Sequence, residues 1–196
     1  MNIKKLDELK KEVENCTKCE LYKSRNNVVF GDGNPRSKIF VVGEAPGYYE
    51  DKTGKPFVGR SGKLLDKIFA ACGFKREEHI YIGNIIKCRP PDNRMPTCEE
   101  RENCFPYLLK QIEIINPKII ILLGSTALKQ FTDSNARITK MRGQWIKWNN
   151  YLAMPTYHPS ALLRNPLLKR DAWEDFKKIV YKYREIVDTN HFSENV

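Results

Sequence analysis

Six cysteines stand in this chain of 196 residues. No apolar signal core opens the sequence, so disulfides are not the first reading and metal ligation is. Cys16 and Cys19 form a C-x2-C pair, which places two thiolates on one turn. Cys88 and Cys104 bracket a proline-rich stretch and the start of a helix. Four thiolates complete either a zinc site or a [4Fe–4S] cluster, and spacing does not choose between them. Cys98 competes with Cys104 for the fourth position. Cys72, beside Ala70 and Ala71, reads as a packed thiol. Six unrelated buried thiols are the alternative, which the C-x2-C pair disfavours.

A second set of residues could bind and react with a ligand. Gly43-Glu-Ala-Pro-Gly47 follows an apolar run, and small residues there let backbone N–H groups of Glu44 and Ala45 approach an anionic oxygen. The segment lacks the Gly-Lys-Ser/Thr of a phosphate loop and the glycine spacing of a dinucleotide fingerprint. Asn84 closes another apolar run, where a carboxamide is an awkward core residue but offers donor and acceptor together. Phe57 lies in a polar stretch, free to stack on a flat ligand or to plug the core. His158 precedes Pro159, which favours an extended backbone at the histidine. Ser160-Ala-Leu-Leu-Arg164 then sets two leucines beside a cation, either a wedge for a base stack or the start of a helix.

The elements that must position these residues alternate. Residues 2–14 have apolar side chains at helical spacing, 38–42 and 79–84 read as strands, and 61–72 as a helix with Ser61 as cap. Residues 48–60 read as a polar loop. Thr97-x-x-Glu100 has the form of a capping box opening a helix to about 115. Residues 118–123 are the plainest buried strand, followed by a short helix to 131. A strand pair spans 144–156 around Asn149-Asn150, and a last helix covers 170–187. Alternation of this kind predicts an α/β fold, a single-domain three-layer sandwich whose central, mostly parallel four-stranded sheet is flanked by helices. Its ligands would bind at the C-terminal ends of the strands, where Gly43–Gly47, Asn84, Gly124 and His158 all fall. One domain over 1–196 is expected, with a polar tail at 188–196.

Charge suggests the ligand. Lys and Arg number 34 against 24 Asp and Glu, a net +10, and excess positive charge in a globular domain points to a polyanion. The longest apolar runs fall far short of the roughly 20 residues that span a bilayer, so a cytoplasmic protein without membrane association is expected.

Taken in order, Cys16-x2-Cys19, Gly43-Glu-Ala-Pro-Gly47, Gly54-Lys-Pro-Phe-Val-Gly-Arg-Ser-Gly62, Asn84-Ile-Ile-Lys-Cys-Arg-Pro-Pro91, Cys104 and His158-Pro-Ser160 resemble the iron–sulfur family 4 of the uracil-DNA glycosylase superfamily. The resemblance covers nearly the whole chain. It implies a DNA repair hydrolase, acting as a monomer on uracil-containing DNA. It implies a [4Fe–4S] cluster of structural role on Cys16, Cys19, Cys88 and Cys104. It implies that Gly43, Glu44, Ala45, Phe57, Asn84 and His158 bind the flipped base, and that His158 with the Glu44 and Ala45 amides stabilises the leaving uracil anion. Ser160, Leu162 and Arg164 would contact DNA, Leu162 filling the vacated stack. A related family has an aspartate where this chain has Ala45, so Glu50, Asp51 or Asn93 is expected to place the attacking water. Two other readings compete: a binding module with a structural metal, and a sister enzyme acting on other deaminated or mismatched bases.

Overall fold

The computed structural model describes residues 2–196. In chain order the elements are α1 (Asn2–Glu14), β1 (Asp32–Gly33), β2 (Ile39–Gly43), α2 (Tyr48–Thr53), α3 (Arg60–Ala71), α4 (Arg76–His79), β3 (Ile80–Asn84), α5 (Cys98–Ile115), β4 (Ile119–Leu123), α6 (Gly124–Phe131), α7 (Ile138–Met141), β5 (Ile146–Trp148), β6 (Tyr151–Thr156), α8 (Pro159–Arg164) and α9 (Leu168–Ile186). The sheet order is β1-β3-β2-β4-β6-β5. The middle four strands run parallel, as expected, and two short antiparallel strands, β1 and β5, complete the edges.

Strands β2 and β4 bury every residue, because a parallel strand between helical layers has no wet face. Their side chains nevertheless alternate between two cores. Phe40, Val42, Ile120 and Leu122 point to the side of α1 and α5. Ile39, Val41, Ile119 and Ile121 point to the side of α3 and α9. All eight are fully buried.

Several boundaries differ from the sequence expectation, each for a local reason. The 48–60 loop contains α2, closed by Gly54 in the left-handed conformation. Helix α3 begins at Arg60 with Gly59, not Ser61, as N-cap. The Glu50 carboxylate supplies the missing cap by accepting from the Val58 and Gly59 amides, each at 2.9 Å. The capping box at Thr97 and Glu100 forms as expected. The 188–196 tail is docked: Ser193 Oγ donates to the Ala71 carbonyl at 2.9 Å. No helix among the described residues is long and apolar enough to cross a membrane.

Candidate active site

The C-terminal ends of β2 and β3 lie side by side, with Gly43 paired to Asn84. Asn84 is 2% exposed. Its Oδ1 is the one buried side-chain polar atom without a hydrogen-bond partner among the described residues. Such an atom is costly unless a ligand completes it. Gly43 has no room for a side chain, because a carbon there would run into Asn84 Oδ1 and the Phe57 ring. The glycine therefore lets amide, aromatic ring and backbone meet at one point.

Phe57 sits at φ 55, a conformation that a bulky residue rarely adopts. Strain of this kind costs about 1–3 kcal/mol and persists only where the surroundings impose it. Three contacts do so. Arg76 donates to the Pro56 carbonyl at 3.0 Å and to the Phe57 carbonyl at 3.2 Å. Glu50 holds the next two amides. Gly62 lets α3 press against the Phe57 carbonyl, a space any side chain would fill. Asp66 in turn fixes Arg76 at 2.8 Å.

His158 closes the other side, its ring 5.6 Å from that of Phe57 and tilted by 35°. It is half-buried. The Ser160 amide donates to Nδ1 at 3.1 Å, and Ser160 Oγ lies 2.8 Å from the same nitrogen. A backbone N–H can only donate, so Nδ1 accepts and the ring proton of the neutral imidazole sits on Nε2. Burial, with the Arg164 cation as a second cause, pushes the ring down to about 4. His158 is thus a neutral Nε2–H donor at physiological pH.

The structure separates the six cysteines into one group of four and two isolated thiols. Cys16, Cys19, Cys88 and Cys104 line one small cavity that opens to solvent. Cys72 is buried in the opposite core and pushed up to about 12 by burial. Cys98 is exposed and bonded to Glu102 at 3.2 Å. Burial raises Cys19 and Cys88 and pushes Cys104 up to about 12. Among the described residues no three His, Cys, Asp or Glu side chains converge closely enough to hold one metal ion. Lys87 and Arg25 line the same cavity. The Lys87 amide donates to Cys104 Sγ and the Arg25 guanidinium to Cys88 Sγ, both at 3.3 Å.

The sequence matches the family model of the uracil DNA glycosylase superfamily over residues 30–177. It is 51% identical to the type-4 uracil-DNA glycosylase of Thermotoga maritima, covering 85% of this chain and 88% of that one. The chain is a type-4 member of the uracil-DNA glycosylase superfamily. Type-4 uracil-DNA glycosylases of Sulfurisphaera tokodaii and Saccharolobus solfataricus are 44% and 46% identical. Each alignment covers 89% of this chain, with 83% and 84% of the respective relative.

In this type-4 chain, several site residues take places that the sequence did not indicate. Leu162 is 1% exposed and packs with Tyr157 and Ala172, while Leu163 is 37% exposed. The DNA wedge expected of Leu162 is therefore corrected: helix α8 turns Leu162 inward and presents its neighbour. Arg164 is exposed at the end of the same helix. Ser160 spends its amide on His158. Glu44 receives a hydrogen bond from Thr126 Oγ1, which anchors the glycine turn to α6. The Asp51 carboxylate is buried and consumed by the Asn26 and Asn27 amides and the Asn26 side chain, so placing a water is not open to it. The expectation that Glu50 places a water meets a carboxylate already shared by two amides. Asn93 is exposed, and its Oδ1 accepts from Arg89 at 2.8 Å. Arg76 and Asp66 carry no sequence signal, because they reach Phe57 from another element, while Gly62 closes the same motif as Phe57.

Proposed function

We propose that the pocket of Gly43, Phe57, Asn84 and His158 takes a uracil flipped out of DNA, and that the chain hydrolyses its N-glycosidic bond. The unpartnered Oδ1 of Asn84 carries the assignment. Uracil presents N3–H beside O4, and one fixed amide accepts from the first while donating to the second. Cytosine reverses both and meets like against like. Phe57 stacks on the base. A duplex base cannot enter such a buried site, so the nucleotide must leave the stack first.

As the C1′–N1 bond breaks, its electron pair moves into the uracil ring and charge builds on O2. His158 Nε2–H donates there, and the Glu44 and Ala45 amides add their dipoles. Water attacks C1′ and loses a proton, leaving free uracil and an abasic site. Incubation with uracil-containing duplex followed by alkali should cut the strand at uracil, and omission of alkali should leave it intact. Parallel oligonucleotides carrying thymine, hypoxanthine or xanthine should survive. Cleavage of those would favour the broader sister activity, and no cleavage at all the binding module.

The wedge role belongs to Leu163 in this reading. Leu163→Ala should weaken processing of duplex substrate about tenfold while sparing single strands, since only a duplex leaves a gap to fill. Leu162→Ala should instead lower stability, by about 2–5 kcal/mol for a buried leucine. Melting curves and duplex-to-single-strand rate ratios separate the two, and equal ratios in Leu163→Ala and the parent would remove the wedge.

The four cavity cysteines would hold a [4Fe–4S] cluster. Each thiolate of a cluster binds its own iron, and the four cysteines lining one pocket supply that number. Bound there, the cluster supplies a cross-link rather than a reacting group, joining the turn after α1 to α5 and the segment after β3. Pure protein should carry about four irons per chain and absorb broadly near ~400 nm. Cys88→Ala should lose that absorption and melt at lower temperature. Zinc in place of iron would refute the assignment.

A further inference from the structure

Lys87 is 0% exposed. A buried ammonium is costly unless a counter-charge faces it. Its Nζ donates to the Asn84 carbonyl at 2.8 Å and to Gln111 Oε1 at 2.5 Å, both neutral. Gln111 is itself fully buried and donates onward to the Phe30 carbonyl at 2.9 Å. No carboxylate pairs with Lys87 among the described residues. The groups beside it that can carry negative charge are the sulfurs of its chain neighbour Cys88 and of Cys104, with which it lines the cysteine cavity. Its own amide also donates to Cys104 Sγ.

We propose that Lys87 is a positioning residue that supplies the buried counter-charge of the cysteine site and ties that site to Asn84. The proposal rests on the cluster reading given above. Four thiolates around a cluster leave the site net negative, and the ammonium answers that charge from the protein side. The same ammonium grips the carbonyl of the residue whose side chain reads uracil. Held between the thiolates and this carbonyl, it fixes the peptide of Asn84, and with it the direction of the amide. Arg25, half-buried, also answers Cys88, but its hydrogen bonds go to Cys16, Cys88 and Glu14 and not to Asn84.

Two variants test this in the intact chain. Lys87→Met keeps the length and removes charge and donor. Lys87→Gln removes the same charge but leaves a polar group in the space, and serves where the methionine does not fold. Iron content, the midpoint potential of the bound iron, uracil kinetics and affinity for abasic DNA are measured. Removing a cation beside a negative site disfavours added electrons, so the potential should fall in both variants. Uracil kinetics in Lys87→Met should need about tenfold more substrate DNA to saturate, with affinity for abasic DNA, which leaves the base pocket empty, unchanged. An unchanged potential in an iron-loaded variant defeats the charge role, and unchanged uracil saturation defeats the tie to Asn84. Absence of iron from the parent chain defeats the cluster reading itself, a different result from either.

Discussion

His158→Ala should slow uracil release in a single turnover by about 10²–10³, or ~3–4 kcal/mol, with little change in DNA affinity. The asymmetry follows from when the bond is made. Uracil O2 is a weak acceptor while the base is attached, and a strong one only as charge arrives from the breaking bond. A donor already aimed there lowers the barrier more than it helps binding. Nε2 is that donor because the Ser160 amide holds Nδ1 as the acceptor. The pH dependence has a definite sign. With the ring held down to about 4, it stays neutral across pH 6–8. The His158 contribution to the rate should therefore be flat there, without an inflection near 6.5. Between about 4 and 6.5 the unfolded chain binds a proton at this residue that the folded chain does not. Stability should thus rise with pH through that window, and His158→Ala should flatten that rise. A near-native rate in the alanine variant would remove His158 from the chemistry and leave the backbone amides to act alone.

The fold was legible where burial and periodicity act over a few residues. Five-residue runs such as 119–123 admit one environment, a strand covered on both faces, and three such runs with one arm of the 144–156 pair form the parallel centre of the sheet. Asn84 and His158 stood out because a carboxamide and an imidazole ending apolar segments need partners that their neighbours cannot supply. The C-x2-C pair marked the cysteine site for a similar reason. Less of the support structure could be read. Glu50 meets its amides eight and nine residues on, and Arg76 reaches back nineteen residues to Phe57, distances at which sequence carries no periodic signal. Which of two adjacent leucines faces outward depends on the phase of α8. That phase is set by His158, which caps the helix with its own side chain. The edge strand β1, two residues long, is too short to show alternation, whereas β5 was marked by the Asn149-Asn150 turn.

Asn84→Asp should lower uracil release by at least about 10³ and give no more than a trace of cytosine release. A site built around specific hydrogen bonds rejects a partner lacking them by large factors, because buried polar groups are left facing like against like. Uracil O4 would face a carboxylate oxygen where it now faces an amide N–H. Cytosine would gain an acceptor for its amino group, but its N3 would face the second oxygen. Either base would then have to leave as an anion beside a buried negative charge, which raises the barrier for both. Burial raises a carboxyl in such a place, and its protonated form offers one O–H and one carbonyl, the pattern of the lost amide. Some uracil activity should therefore return as pH falls, while cytosine activity should not. Single-turnover rates on both bases from pH 5 to 8 test this, and a variant that gains cytosine at neutral pH would show that Asn84 does not set the choice of base. Gly43→Ala reaches the same amide from the other side. Its added carbon meets Asn84 Oδ1 and the Phe57 ring, so it should close the pocket to either base without a change of charge. The two variants then differ in one respect: acid should restore activity to the aspartate and leave the alanine variant inactive.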